Sequence, residues 1–343
     1  MRRGVVVLGL TAGMLLTAPW ASARADLSSG PAKGEVRCTV NDARITESSG
    51  LVAVGDSLYT VNDGGSRLQV FVLDRACKVV RTITAGLDPY DVEDLARSAD
   101  GTLWLADLGD NDHSRSTVAI ELLTEAGTAR LFRFSYPDGA HDAEALLLDR
   151  AGRPFVVTKD PLGSSGVYTS TGTPSATKAT PLRKVASLRF SPTGTPGGPV
   201  GAIGQLMVTG GAVSPDGTRV VLRTYTDAYL WRAEDGDVAK ALAGTPTRVP
   251  LPPTAQGEAI TFTPDGRGLL TSTEGRPAAV HLLPLGELAA PATSGHPAAA
   301  PAKPAGKTTS SGYDTFGKLA LAFGIAAFLV WGGGKAASMS RRG

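Results

Sequence analysis

The chain has 343 residues, a formal net charge of +2 and 6% aromatic residues, with 42 glycines, 23 prolines and two cysteines. Near-neutral charge without a Lys/Arg cluster in the body excludes a nucleic-acid surface, and the Gly and Pro load suits short strands and tight turns rather than long helices. The central part, about 260 residues, is enough for one large all-β domain or two ordinary ones.

The first 25 residues carry Arg2-Arg3, an apolar run from Val5 to Thr17 and the small-residue segment Ala21-Ser22-Ala23-Arg24-Ala25. This order predicts a secretory signal peptide over 1–25 and an exported chain. Cys38 and Cys77 then lie in an oxidising compartment, where an even pair predicts one disulfide.

The body, 35–288, reads as short alternating or β-branched runs bounded by Gly, Asp and Pro. A first unit has strands over 49–54, 57–61, 67–73 and 78–85, and a second over 94–97, 103–106, 118–123 and 129–135. A third has 145–148, 154–158, 166–169 and 183–190. A fourth has 219–224, 228–232 and a strand from Lys240 onward, and a fifth has 268–272 and 279–283. Aligned on their opening residues the units begin at 49, 93, 144, 211 and 258. Such spacing matches four-stranded propeller blades of roughly 40–50 residues, in which each sheet buries both faces against its neighbours. The expected fold is therefore all-β, a single β-propeller. Five blades are favoured, and a sixth could hide in the Gly/Pro-rich stretch 191–201. The fifth unit lacks an outer strand, and 35–40 is an unused strand that could supply it. Cys38 would then stand in the last blade and Cys77 at the outer strand of the first, so that their disulfide locks the ring.

After the body, 289–315 is an Ala/Pro/Gly/Ser/Thr stalk with almost nothing to bury. Residues 316–334, including the uncharged run Leu319–Trp331, are long enough to span a bilayer, and the tail 335–343 carries Lys335 and Arg341-Arg342. These features predict a single-pass membrane anchor with the propeller on the extracytoplasmic side.

Three units open on an acid: Val92-Glu93-Asp94-Leu95, Ala143-Glu144-Ala145-Leu146 and Gly257-Glu258-Ala259-Ile260. First strands line a propeller's channel, so Glu93, Glu144 and Glu258 should converge near one mouth. In the first unit the position is Ser49, with Glu47 two residues earlier on the same face; in the fourth it is Gly211. Carboxylates gathered near one axis repel unless a cation binds or their pKa values rise, and an all-oxygen set suits Ca²⁺. The loops after the second strands should open on the same mouth. They contribute Asp63, Asp107, Asp110, Asn111, Lys159 and Glu274, with Arg223 close to that position in the fourth unit, as candidate ligand-binding residues. The basic members leave a mixed-charge pocket and a purely structural ring open beside the metal site.

No catalytic residue is assigned. Gly-x-Ser-x-Gly is absent, no His/Cys cluster has zinc spacing, and His113 and His141 are the only histidines placed as general bases could be.

The ordered combination Val92-Glu93-Asp94-Leu95-Ala96, Trp104-Leu105-Ala106-Asp107-Leu108-Gly109-Asp110-Asn111, Tyr136-Pro137-Asp138-Gly139, Asp142-Ala143-Glu144-Ala145-Leu146 and Val157-Thr158-Lys159 resembles actinobacterial exported β-propeller proteins (WD40-like or YVTN-like) of unassigned activity. More distantly, the acidic strand openings are similar to those of gluconolactonase-like and esterase-like phytase propellers. There, carboxylates near the channel mouth hold a divalent cation, which implies Glu93, Glu144 and Glu258 as ligands. The leading expectation is a non-catalytic, membrane-tethered module binding a ligand or an envelope protein. A Ca²⁺-dependent hydrolase of phosphoesters or lactones and a structural envelope protein are the alternatives.

Overall fold

A computed structural model describes residues 34–286. The expected signal peptide, stalk, span and tail lie outside the described residues. Within them no helix is long and apolar enough to cross a membrane.

The chain opens with strand β1 (Glu35–Val40). Blade 1 then comprises β2 (Ser48–Val54), β3 (Ser57–Asn62), β4 (Leu68–Leu73) and β5 (Val79–Ala85). Blade 2 comprises β6 (Val92–Arg97), β7 (Leu103–Asp107), β8 (Val118–Leu123) and β9 (Ala129–Ser135). Blade 3 comprises β10 (Ala143–Leu148), β11 (Pro154–Thr158), β12 (Gly166–Ser170) and β13 (Thr180–Ser187). Blade 4 comprises β14 (Val208–Val213), β15 (Arg219–Thr224), β16 (Asp227–Arg232), a short helix α1 (Val238–Leu242) and β17 (Thr247–Pro250). Blade 5 comprises β18 (Gly257–Phe262), β19 (Gly268–Thr273) and β20 (Ala278–Pro284), and β1 is its outer strand. Each blade is an antiparallel meander. The inner strands β2, β6, β10, β14 and β18 contact one another in cyclic order, closing a five-bladed ring.

Ring closure follows the expected route. β1 pairs antiparallel with β20 through Cys38 opposite Val280 and Val40 opposite Ala278. The Cys38–Cys77 disulfide joins this strand to the turn before β5.

The core is five interfaces rather than one centre. Leu51, Leu58 and Phe71 meet Leu270 and Val280 between blades 1 and 5, Val61 and Val70 meet Leu95 and Leu105 between blades 1 and 2, and Ile120 and Phe134 meet Leu146 and Val156 between blades 2 and 3. Phe155 and Val157 meet Val220 and Leu222 between blades 3 and 4, and Val221 and Leu230 meet Ile260 and Leu269 between blades 4 and 5. Because both faces of each sheet are covered, strands such as β15 and β18 are buried at all six positions and show no alternation.

The turns from inner to second strand explain the repeated Ser/Thr-x-Asp-Gly. Asp100, Asp216 and Asp265 accept bonds from the hydroxyl two residues earlier (2.5–2.6 Å) and from the N–H two residues later (3.0–3.1 Å), and the glycine that follows takes a left-handed φ. These hydrogen bonds hold Asp100 and Asp265 below the usual carboxylate range.

One expectation is corrected in the fourth unit, and the alternative of a sixth blade falls away. The chain from Lys240 onward is not a strand: Asp237 caps α1 by accepting the Lys240 N–H (3.1 Å), and Val238, Ala241 and Leu242 bury one helical face. The outer strand β17 follows later. The stretch 191–201 holds no sixth blade. It is a strap pinned by Asp227, whose carboxylate accepts from Thr193, Thr195 and Thr226 hydroxyls and from Arg248 at 2.7–2.8 Å.

Candidate functional site

Every inner strand slips register at one point: between Ser48 and Leu51, Val92 and Asp94, Ala143 and Ala145, Val208 and Gly210, and Gly257 and Ile260. These are bulges, and a bulge re-aims the side chain it carries. The equivalent residues are Ser49, Glu93, Glu144, Thr209 and Glu258. In blade 4 the position is therefore Thr209, not Gly211. That blade has no acid to anchor the sequence alignment, and Gly210-Gly211 gives no side chain to choose between registers.

Where the bulge carries a hydroxyl, it ties the blade to the next one. Ser49 Oγ donates to the Glu93 carbonyl, and Thr209 Oγ1 donates to the carbonyls of Gly257 (3.0 Å) and Glu258 (3.2 Å). The inner strands are packed so closely that a Cβ on Gly50 would lie 2.1 Å from the Leu95 nitrogen. Next to Glu93, Asp94 accepts N–H bonds from Leu146 (2.8 Å) and Gly211 (3.3 Å), linking blade 2 to blades 3 and 4; burial raises its carboxyl to about 8.

The acids gather on blades 1–3. Oxygens of Asp63, Asp91 and Glu93 all lie within 4.8 Å of one another, as do those of Glu93, Asp142 and Glu144. All five residues are buried, and Glu93 belongs to both groups. At an effective dielectric of 20, two full charges at that separation repel by roughly 3 kcal/mol, which a bound cation reverses. Asp91 and Asp142 were missed by the sequence reading, although each stands two residues before a bulge glutamate, as Glu47 does before Ser49.

Backbone geometry is adapted to this cluster. A Cβ on Gly109 would lie 2.3 Å from Asp91 Oδ2 and 2.4 Å from Glu93 Oε1, so only glycine leaves the carboxylates their space. Asp107 is a brace rather than a lining residue. It accepts the N–H groups of Tyr90 and Asp91 (both 3.0 Å) and pairs with Arg115 (2.9 Å), which also donates to the Gly109 carbonyl (2.7 Å). Asp110 likewise folds its own loop, accepting from the N–H groups of Ser114 and Arg115 while its N–H donates to Asp142. Asn111 is half-buried in the same loop.

The remaining expected residues divide. Lys159 is buried, pairs with Glu144 and lies 5.4 Å from the Tyr225 ring. Burial alone would lower its ammonium, but Glu144 and the other acids hold it well above its ordinary value. Glu258 is buried outside both groups, and burial, with Glu144 and Glu274 nearby, raises its carboxyl well above the usual range. Glu47 is exposed just before β2. Glu274 accepts from Gln256 at 2.5 Å. Arg223 does not face the mouth: its guanidinium is fully buried and donates to main-chain carbonyls between blades 4 and 5. His113 is exposed, and His141 Nε2 lies 3.0 Å from Asp138 and 3.1 Å from the Tyr168 hydroxyl. The strap bonds Gly198 N–H to Thr254 O (2.9 Å) and packs Gly198 beside Tyr225, on blades 4 and 5.

Behind the brace, Glu121 on β8 is fully buried. Burial, reinforced by the Asp107 carboxylate, raises it to about 9 from 4.5. Between those values the folded chain keeps a proton that the unfolded chain releases, so stability falls as pH rises, by up to about 1.4 kcal/mol per pH unit. Glu121→Gln should remove this slope. In denaturation curves at pH 5, 7 and 9 the variant should gain on the wild type as pH increases, and parallel pH dependences would contradict the assignment.

No protein-family profile matches the chain, and no curated protein does. Solved structures similar to it include a virginiamycin B lyase from Staphylococcus aureus, at 13% identity over 69% of this chain and 66% of that one, with a TM-score of 0.36. A streptogramin B lyase (14%, 68% and 64%, TM-score 0.34) and the gluconolactonase XC5397 from Xanthomonas campestris (16%, 69% and 72%, TM-score 0.41) are similar as well. The chain spans less than two thirds of the length of the two lyases. These neighbours are β-propellers, the gluconolactonase among them. The five-bladed assignment here rests on the chain's own strand pairing.

Proposed function

We propose that this chain is an exported, membrane-tethered binding propeller whose mouth holds a divalent cation, Ca²⁺ by ligand chemistry, and presents it to a ligand outside the cell. The observation that carries the reading is Glu93, shared by two buried carboxylate groups drawn from three consecutive blades. Asp63, Asp91 and Glu93 form an all-oxygen set, with Asp142 and Glu144 beside it, and Gly109 leaves Asp91 and Glu93 their room; hard oxygen donors suit Ca²⁺ better than the softer metals. A cation there leaves coordination positions for ligand oxygens. Asymmetry supports a site rather than a structural ring, since both carboxylate groups come from blades 1–3.

The test is thermal unfolding with and without Ca²⁺. At a hundredfold excess over Kd a ligand specific to the folded state adds about 2.7 kcal/mol, a rise on the order of 5–10 °C for a domain of this size. EDTA should reverse the shift and Glu93→Gln should abolish it, because that change weakens both groups at once. A chain that binds no metal by elemental analysis and shows no shift would remove this function.

A further inference from the structure

Among the described residues four large apolar side chains are exposed: Val36, Val80, Tyr90 and Leu162. Val36 and Val80 lie on the outer strands β1 and β5, whereas Tyr90 and Leu162 lie in loops on the mouth side of blades 2 and 3, where the acids are. Tyr90 immediately precedes Asp91 and is 52% exposed. It is also held: its N–H donates to Asp107 at 3.0 Å, and the Arg115 guanidinium lies 4.6 Å from its ring centroid, itself paired with Asp107 and bonded to Gly109 O. The brace that sets Asp91 and Gly109 at the carboxylate cluster thus sets the aromatic ring as well. Tyr136 adds an unsatisfied donor. Its hydroxyl is buried without a hydrogen-bond partner, and its ring stands edge-on to His141 and Tyr168, each with its centroid 5.0 Å away.

A fixed, exposed aromatic ring beside a hard cation matches one ligand chemistry, a sugar. Hydroxyl oxygens complete the coordination of Ca²⁺, while the C–H face of the pyranose packs on an aromatic face. From this geometry we infer that the mouth binds a carbohydrate chain, with vicinal hydroxyls on the cation and a ring against Tyr90. The inference rests on the cation reading above and adds the ligand class to it. Arg115 and Asp107 are positioning residues: they hold the ring and the first carboxylate in fixed relation, so that binding orders little of the protein.

The test uses the full-length chain in two measurements. Calorimetry with CaCl₂ alone reports the metal, and affinity electrophoresis through gels containing mannan, galactan or dextran reports the sugar. At least one polysaccharide should retard the protein in Ca²⁺ and not in EDTA. Tyr90→Ala should weaken retardation tenfold or more and Tyr90→Phe should preserve it, while both bind Ca²⁺ as the wild type does. Calcium binding without retardation by any of the three overturns the carbohydrate inference and leaves the cation reading standing, as does equal retardation of the Tyr90→Ala variant. Retardation that survives EDTA overturns the coordination half of the inference. A chain that binds no Ca²⁺ ends both readings.

Discussion

Replacing Arg223 with methionine is expected to cost about 3–5 kcal/mol, the range seen when one partner is removed from a buried charged network. Its side chain is only 1% exposed. From β15 it donates to Ala259 O (2.8 Å) and Ser272 O (3.0 Å) in blade 5, and to Thr224 O (3.2 Å) and Tyr225 O (3.4 Å) in its own blade. Burial lowers the guanidinium to about 10, so it stays charged at neutral pH, with Glu258 favouring that charge. Methionine fills much of the space but donates nothing, leaving carbonyls buried between two blades without their donor. Gly257 marks how closely the guanidinium is packed, since a Cβ there would lie 2.0 Å from Arg223 Nη2. Urea denaturation should show the midpoint falling at unchanged m. A loss below about 1 kcal/mol would mean that these carbonyls find other donors, and that Arg223 is not the strut between blades 4 and 5.

The second large effect is at the seam. Cys38 and Cys77 are separated by 39 residues, and cross-linking a loop of that length is worth about 4 kcal/mol in the chain-entropy account. The Cys38→Ser/Cys77→Ser double variant should therefore melt on the order of 10 °C lower, as should the reduced wild type. The bond joins the outer strand of the last blade to the first blade, which is where a ring built from a linear chain must be held shut. The pairing of β1 with β20 persists in the variant, so the expected outcome is a weaker ring rather than an unfolded one. An unchanged melting temperature in both forms would show that strand pairing alone closes the propeller.

Sequence and structure agree most closely where the physics is local. Strand positions in blades 1 and 2 were legible because alternation, β-branched runs and Asp-Gly turns act within a few residues, and Asp100-Gly101 or Asp265-Gly266 makes its turn with its own neighbours. The same local logic gave the wrong element after Asp237, where a capping carboxylate and three buried apolar residues make a helical turn in a chain otherwise full of strands. The candidate site was half legible. Glu93 and Glu144 stood out through their repeat position, and Asp63 through the loop opening on the mouth. Glu258 stood out equally, yet it lies outside both carboxylate groups, where burial, with Glu144 and Glu274 nearby, raises its carboxyl well above the usual range. Arg223 looked like a mouth residue from its chain position, but Tyr225 holds the place of Lys159, and Arg223, two residues earlier, is buried between blades 4 and 5.

By itself, the sequence determined that this is a ring of four-stranded units, where the ring closes, and that carboxylates recur at the channel end of the inner strands. Periodicity, turn chemistry and cysteine placement are properties of the chain in one dimension. Only the tertiary structure decided which acids meet. Asp91 and Asp142 join Glu93 because bulges in β6 and β10 re-aim the side chains, and because blades 1–3 bring residues from Asp63 to Glu144 within a few ångströms of one another. Distance across the ring and the degree of burial set both the repulsion among these carboxylates and the cost of charging them, and neither quantity exists until the blades are packed.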